Sequence, residues 1–204
     1  MSVVILADGK FPDHKLPLEV LKSAQLVVCC DGAAKKLVEW GRNPDAITGD
    51  LDSIPAGLKQ QFGDRIYPSY DQETNDLTKA VEWCIARSIT DVVILGATGL
   101  RDDHTLGNIS LLVDYVEKIN VKMMTDTGVF IPIVATTRFN STKGQQISIF
   151  AITPQTPITT HGLMYSVYNR LFTNWWQGTL NEAEGSQFTI EFENGKLIIF
   201  MVYT

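Results

Sequence analysis

The sequence has 204 residues, 45% of them hydrophobic, and a net charge of −6. That balance excludes a disordered chain, and the length accommodates one large domain or two small ones. The acidic surplus argues against a nucleic-acid face, which needs clustered Lys and Arg, and no apolar run reaches the about 18 residues of a membrane span.

In chain order, Val3-Val4-Ile5-Leu6-Ala7 is a short apolar run with no basic stretch before it. It reads as a buried parallel strand rather than as a secretory leader. Leu26-Val27-Val28-Cys29-Cys30 is a second strand, and residues 33–40 read as a helix closed by Gly41. Ala46-Ile47-Thr48 and Arg65-Ile66-Tyr67 read as further strands. Residues 75–87 carry Leu77, Ala80, Val81 and Cys84 at helical spacing. Val92–Leu95 is a strand, residues 106–119 a helix, and Val121–Thr125 a closing strand. Strand, loop and helix in repetition predict parallel strands with right-handed crossovers. The three cysteines, Cys29, Cys30 and Cys84, sit among apolar neighbours and fit no disulfide or zinc pattern. They read as buried thiols of a reducing, cytoplasmic compartment.

Beyond about residue 125 helical periodicity stops. Residues 146–150, 188–192 and 197–202 alternate or run apolar as strands do, and Glu193-Asn194-Gly195-Lys196 reads as a hairpin turn between the last two. The expected organisation is an α/β domain with a mainly parallel sheet over residues 1–125. A small all-β sandwich over 126–204 follows it.

Acidic residues gather where strands give way to loops, which in open α/β sheets converge on one ligand-binding edge. Gly49-Asp50-Leu51-Asp52-Ser53 places two carboxylates on one side if the segment is extended. The pair reads either as an exposed acidic turn or as a magnesium site, since Mg²⁺ takes one or two carboxylates plus substrate phosphates. Asp71 to Asp76 opens a helix. Thr74 or Asn75 is its cap, and Asp76 is either a first-turn acid or a third carboxylate to the same ion. Gly96-Ala97-Thr98-Gly99-Leu100-Arg101-Asp102-Asp103-His104 is a glycine-rich turn suited to phosphate, although it is neither a P-loop nor a dinucleotide fingerprint. Arg101 pairs either with a phosphate or with Asp102 or Asp103. Asp31, at a strand-to-helix turn, caps the helix or binds a ligand.

These four motifs occur in an order that resembles the thiamine pyrophosphokinase family: Asp31-Gly32-Ala33, residues 49–53, residues 71–76 and residues 96–104. Thr160–Tyr165 and Asn181 are similar to the family's later motifs. The resemblance implies an ATP-binding α/β domain and a thiamine-binding, dimer-forming sandwich. It implies diphosphoryl transfer from ATP to the thiamine hydroxyl, with AMP leaving. It puts Asp50, Asp52 and Asp76 at Mg²⁺, with Asp103 as a further catalytic candidate. It puts Gln72 and Asn75 near the substrates, Arg101 and Asp103 near the ATP phosphates or the active-site loop, and Asn181 against the partner subunit's acidic cluster in a homodimer; Asp31 joins them as a ligand-binding candidate. Asn75 stands where Thr is usual, Leu180 replaces the Ser before Asn181, and Trp175-Trp176 fills a loop of usually smaller residues. A γ-phosphoryl kinase or phosphohydrolase, and a non-catalytic nucleotide- or thiamine-binding module, are the alternatives on the same scaffold.

Overall fold

The computed structural model describes residues 2–71 and 73–204. It divides into two compact units. The first runs to Leu111 and includes Lys118–Asp126; the second comprises Leu112–Glu117 and Thr127–Thr204.

The first unit alternates β1 (Val3–Leu6), α1 (Lys15–Ser23), β2 (Leu26–Cys30), α2 (Ala33–Glu39), β3 (Ala46–Gly49), α3 (Ala56–Gln61), β4 (Ile66–Pro68), α4 (Asp76–Ile85), β5 (Asp91–Leu95), α5 (Asp102–Ser110) and β6 (Asn120–Met124). Its strands lie in the order β6-β5-β1-β2-β3-β4, every pair parallel. The central strand β1 is buried along its whole length, as is β3. This is why those segments read as continuous apolar runs: a parallel strand covered on both faces has no solvent side. The order reverses between β1 and β5, so the loops after these two strands part and leave a crevice at their carboxyl ends.

Three helices differ from the expected pattern. α1 carries Pro17 in its first turn, where a missing N–H costs nothing, and is capped by His14, whose Nδ1 accepts from the Leu16 N–H at 3.2 Å. α3 buries no residue and so leaves no apolar periodicity to find. The single helix expected over 106–119 is two pieces. α5 begins at Asp102 and buries nothing, whereas α6 (Leu112–Tyr115), in the second unit, buries Leu112, Val113 and Tyr115. The apolar signal came from the short piece.

The second unit is all-β apart from α6 and a 3₁₀ turn at Trp175–Gly178. β7 (Gly128–Ile133), β8 (Thr137–Asn140), β9 (Gln146–Ala151), β10 (Thr159–His161), β11 (Asn181–Glu182), β12 (Gln187–Glu191) and β13 (Leu197–Val202) form two antiparallel sheets. One is ordered β11-β9-β13-β7, the other β10-β12-β8. Ile147, Ile149, Leu197 and Ile199 from the first sheet and Phe188 and Ile190 from the second share one buried core. Phe139 stacks on Phe188 with centroids 5.0 Å apart.

The segment Glu193–Lys196 does not make the expected hairpin. β12 pairs with β8 and β10, whereas β13 pairs with β7 and β9 in the other sheet. The segment is therefore a corner between sheets. Asn194 takes a φ of 53° there, and a side chain at Gly195 would overlap the buried Thr156 hydroxyl.

Candidate active site

The expected residues of the first unit sit at the carboxyl ends of its strands. Asp31 follows β2 with a φ of 30°, in the left-handed region that non-glycine residues seldom visit. Gly49 ends β3 with a φ of 144°. A Cβ there would stand 3.1 Å from the Asp31 Cβ and 3.2 Å from Asp76 Oδ1. A side chain here would be strained by the backbone angle and would crowd the Asp31 and Asp76 side chains, so glycine suits the position. Asp76 opens α4, where Asn75 is the cap, its Oδ1 accepting from the Thr78 N–H at 2.9 Å.

Asp31, Asp50 and Asp76 each offer an oxygen within 4.8 Å of the others. Asp31 is buried, at 4% exposure. Its Oδ2 accepts from the Ser53 N–H at 3.1 Å, while Oδ1 has no hydrogen-bond partner. Burial pushes its carboxyl up to about 6; the Ser53 N–H opposes this and the nearby Asp76 adds to it. Lys79, one turn into α4, reaches back to Asp76 Oδ1 at 3.1 Å.

Asp52 is not one of the three. The extended geometry that would align it with Asp50 is absent, because Leu51 takes a φ of 69°. That residue turns the chain, yet the Asp52 carboxyl still lies close to those of Asp50 and Asp31. Asp52 is exposed and accepts from its neighbour's hydroxyl, Ser53 Oγ, at 2.9 Å; this bond first of all holds its carboxyl below the ordinary value.

Beside this group lies a cleft of about 390 Å³ at the switch point, lined by Asp8, Cys30, Asp76, Thr98, Arg101 and His104 among others. Its floor is two loops laid side by side: the Gly9 N–H bonds the Gly96 carbonyl at 2.6 Å and the Lys10 N–H the Thr98 carbonyl at 2.8 Å. Gly96 and Gly99 take φ of 66° and 86°. Arg101 grips Asp103 through two bonds, Nε to Oδ1 at 3.1 Å and Nη2 to Oδ2 at 2.5 Å. Those bonds hold the Asp103 carboxyl down at about 2. Gln72 lies outside the described residues.

Three residues with roles around the cleft carried no signal in the sequence. Asn108 donates to the Ala97 carbonyl at 2.8 Å and accepts from Asn75 Nδ2 at 3.2 Å, tying α4 to the glycine-rich turn. Lys36 pairs with Asp8 at 2.8 Å and donates to the carbonyls of Asp8 and Gly9. Asp126 accepts from Lys10 Nζ and from the N–H groups of Asp13 and His14, fastening the loop after β1. A helical residue facing loops from other elements leaves no periodic or motif signature.

In the second unit Asn181 is buried and its amide works internally. Oδ1 accepts from the N–H groups of Tyr165 and Glu182, and Nδ2 donates to the Tyr165 carbonyl. The neighbouring Leu180 has a φ of 59° and is 78% exposed. Trp175 lies edge-on to Phe150 at 6.0 Å and is partly exposed, and Trp176 is 72% exposed.

A parallel sheet that gathers three carboxylates at its strand ends, beside a switch-point cleft with a glycine-rich loop, has the build of an α/β ligand-binding enzyme domain. Residues 18–124 match the family profile of the thiamin pyrophosphokinase catalytic domain, and residues 128–200 that of the thiamin pyrophosphokinase substrate-binding domain. The chain is 28% identical over 200 residues to thiamin pyrophosphokinase 1 of Caenorhabditis elegans, covering 84% of this chain and 81% of that protein. It is 30% identical over 133 residues to thiamine pyrophosphokinase 1 of Oryza sativa, covering 53% of this chain and 50% of that one. The crystal structure of the Geobacillus thermodenitrificans thiamin pyrophosphokinase superposes with a TM-score of 0.82 at 24% identity, over 100% of this chain and 98% of that one. The chain belongs to the thiamine pyrophosphokinase family, as an enzyme of the thiamine diphosphokinase type.

Proposed function

We propose that the chain transfers a diphosphoryl group from ATP to the hydroxyl of thiamine, giving thiamine diphosphate and AMP, with Mg²⁺ held at the aspartate cluster. The observation that carries the metal assignment is the buried Asp31 carboxylate, whose Oδ1 lacks a partner while the oxygens of Asp50 and Asp76 stand within 4.8 Å. An orphaned buried carboxylate oxygen among two others is costly unless a hard cation satisfies it. Asp50, Asp76 and Asp31 are the ligands this geometry favours, with Asp52 beside them. When bound, the ion offsets the negative charge of the transferring phosphates.

The chain's own residues do the rest by positioning. The aligned loops after β1 and β5 bring backbone groups up to the phosphates. Arg101, held in place by Asp103, offers a guanidinium to a phosphate oxygen. Asn75 and Asn108 fix the cleft wall. Asp103, already committed to Arg101 and the His104 N–H, serves as an anchor rather than as a proton acceptor. The sandwich supplies the thiamine site, where Asn181 shapes the turn that presents Tyr165 and Leu180, and a second copy covers its exposed aromatics. Among the described residues no helix is long and apolar enough to cross a membrane, and the three cysteines are free and buried, which supports a cytoplasmic setting.

Incubation with ATP, MgCl₂ and thiamine, followed by chromatography of the nucleotides, tests the reaction. AMP is expected to appear in step with thiamine diphosphate. ADP with thiamine monophosphate would overturn the proposal.

A further inference from the structure

Lys79 is the odd residue of α4. Its neighbours Leu77, Ala80, Val81 and Cys84 are buried apolar groups, and its side chain is itself only 4% exposed. A buried ammonium is costly, and a well-packed apolar side chain of similar volume would commonly serve stability as well or better. Its reach is directed: the i,i+3 spacing brings Nζ to 3.1 Å from Asp76 Oδ1, at the edge of the three-carboxylate group.

We infer that Lys79 is a built-in counter-cation that weakens capture of a bare divalent ion, so that the ion binds well only together with nucleotide phosphate. The inference rests on reading the cluster as the magnesium site. Three ionised carboxylates alone carry three negative charges, and affinity for hard cations rises with the charge count of the ligands. With Lys79 the group carries two, which one divalent ion balances. A unit charge about 6 Å from a divalent ion weakens its binding by about tenfold even at the dielectric constant of water. The residue touches no substrate in this scheme. It positions Asp76 and sets the field in which the ion binds.

The test is titration of the nucleotide-free protein with Mn²⁺, followed by electron paramagnetic resonance, for the wild type, Lys79→Met and Lys79→Gln. Gln keeps a donor toward Asp76 and loses the charge. Both variants are expected to bind Mn²⁺ about tenfold more tightly than the wild type. Detectable binding by the variants with none by the wild type supports the inference equally. Equal or weaker binding by Lys79→Met overturns it, as does a Lys79→Gln protein that binds like the wild type, since a hydrogen bond rather than charge would then be the cause. If neither the wild type nor the variants bind, the metal reading of the cluster falls, and this inference with it. A Lys79→Met protein that folds only when Mn²⁺ is present supports the counter-cation role, and one that stays unfolded with the ion overturns it.

Discussion

Replacing Gly49 by alanine tests the geometry on which the carboxylate cluster depends. At a φ of 144° an alanine is strained whatever the space around it, and its Cβ would press on the Asp31 Cβ at 3.1 Å and on Asp76 Oδ1 at 3.2 Å. The backbone strain alone costs about 1–3 kcal/mol. For a chain of this length about 2 kcal/mol lowers the melting temperature by roughly 4–8 °C. Relief comes by moving Asp31 and Asp76 apart by a few tenths of an ångström, which spoils the common approach of their oxygens. Thermal denaturation with and without Mg²⁺, together with the Mg²⁺ dependence of AMP release, reads both effects. A Gly49→Ala protein with wild-type melting temperature and wild-type Mg²⁺ activation would refute the argument that close approach at Gly49 builds the site.

Asp50→Asn is expected to reduce turnover by more than about a hundredfold, whereas Asp52→Asn, beside the cluster, falls in the range of about 10–100-fold expected of a supporting group; steady-state assays at limiting Mg²⁺ rank the two. Asp126 gives a pH signature. Burial raises its carboxyl, but Lys10 and the N–H groups of Asp13 and His14 outweigh that and hold it at about 2. Because the folded value lies below the unfolded 3.8, the contribution of about 2 kcal/mol is complete above that value and vanishes as pH falls toward 2. Asp126→Asn should thus melt earlier at neutral pH and converge on the wild type in acid, followed by circular dichroism. A homodimer through the aromatic face of the sandwich is expected by light scattering at micromolar concentration, and Trp176→Ala should weaken it by about 2 kcal/mol. A monomeric wild type would end that reading.

The parallel half of the fold was legible because β1, β2 and β3 are buried on both faces and therefore advertise themselves as unbroken apolar runs. Amphipathic α4 was legible from Leu77, Ala80, Val81 and Cys84. α3 and α5 bury no side chain, so composition and capping alone had to reveal them. Asn194-Gly195 carries the local chemistry of a hairpin, and only the packing against Thr156 and the separate partners of β12 and β13 make it a corner. Site residues at strand ends were findable by motif: Asp31, Asp50 and Asp76 converge as strand-end loops should. The grouping of Asp31 with Asp50 and Asp76 depends on the positive φ angles at Asp31 and Leu51, which no spacing rule contains. Asn108, Lys36 and Asp126 act across elements, with partners 33, 28 and 116 residues away, whereas Lys79 and Asp76 are three residues apart on α4. Even the nearest of these pairs read only as ordinary helix chemistry.

The wall of the cleft formed by α5 has a consequence for motion. Arg101, His104 and Thr105 line the cavity from a segment that contributes no buried side chain to either hydrophobic core. Polar contacts therefore help to hold it, among them the Asn108 amide bridging Ala97 and Asn75, beside the half-buried Ile109. Segments held in this way open at a fraction of the global unfolding cost. A nucleotide entering the cleft would supply the missing contacts from the other side, so α5 would gain most of its rigidity from its ligand rather than from the fold.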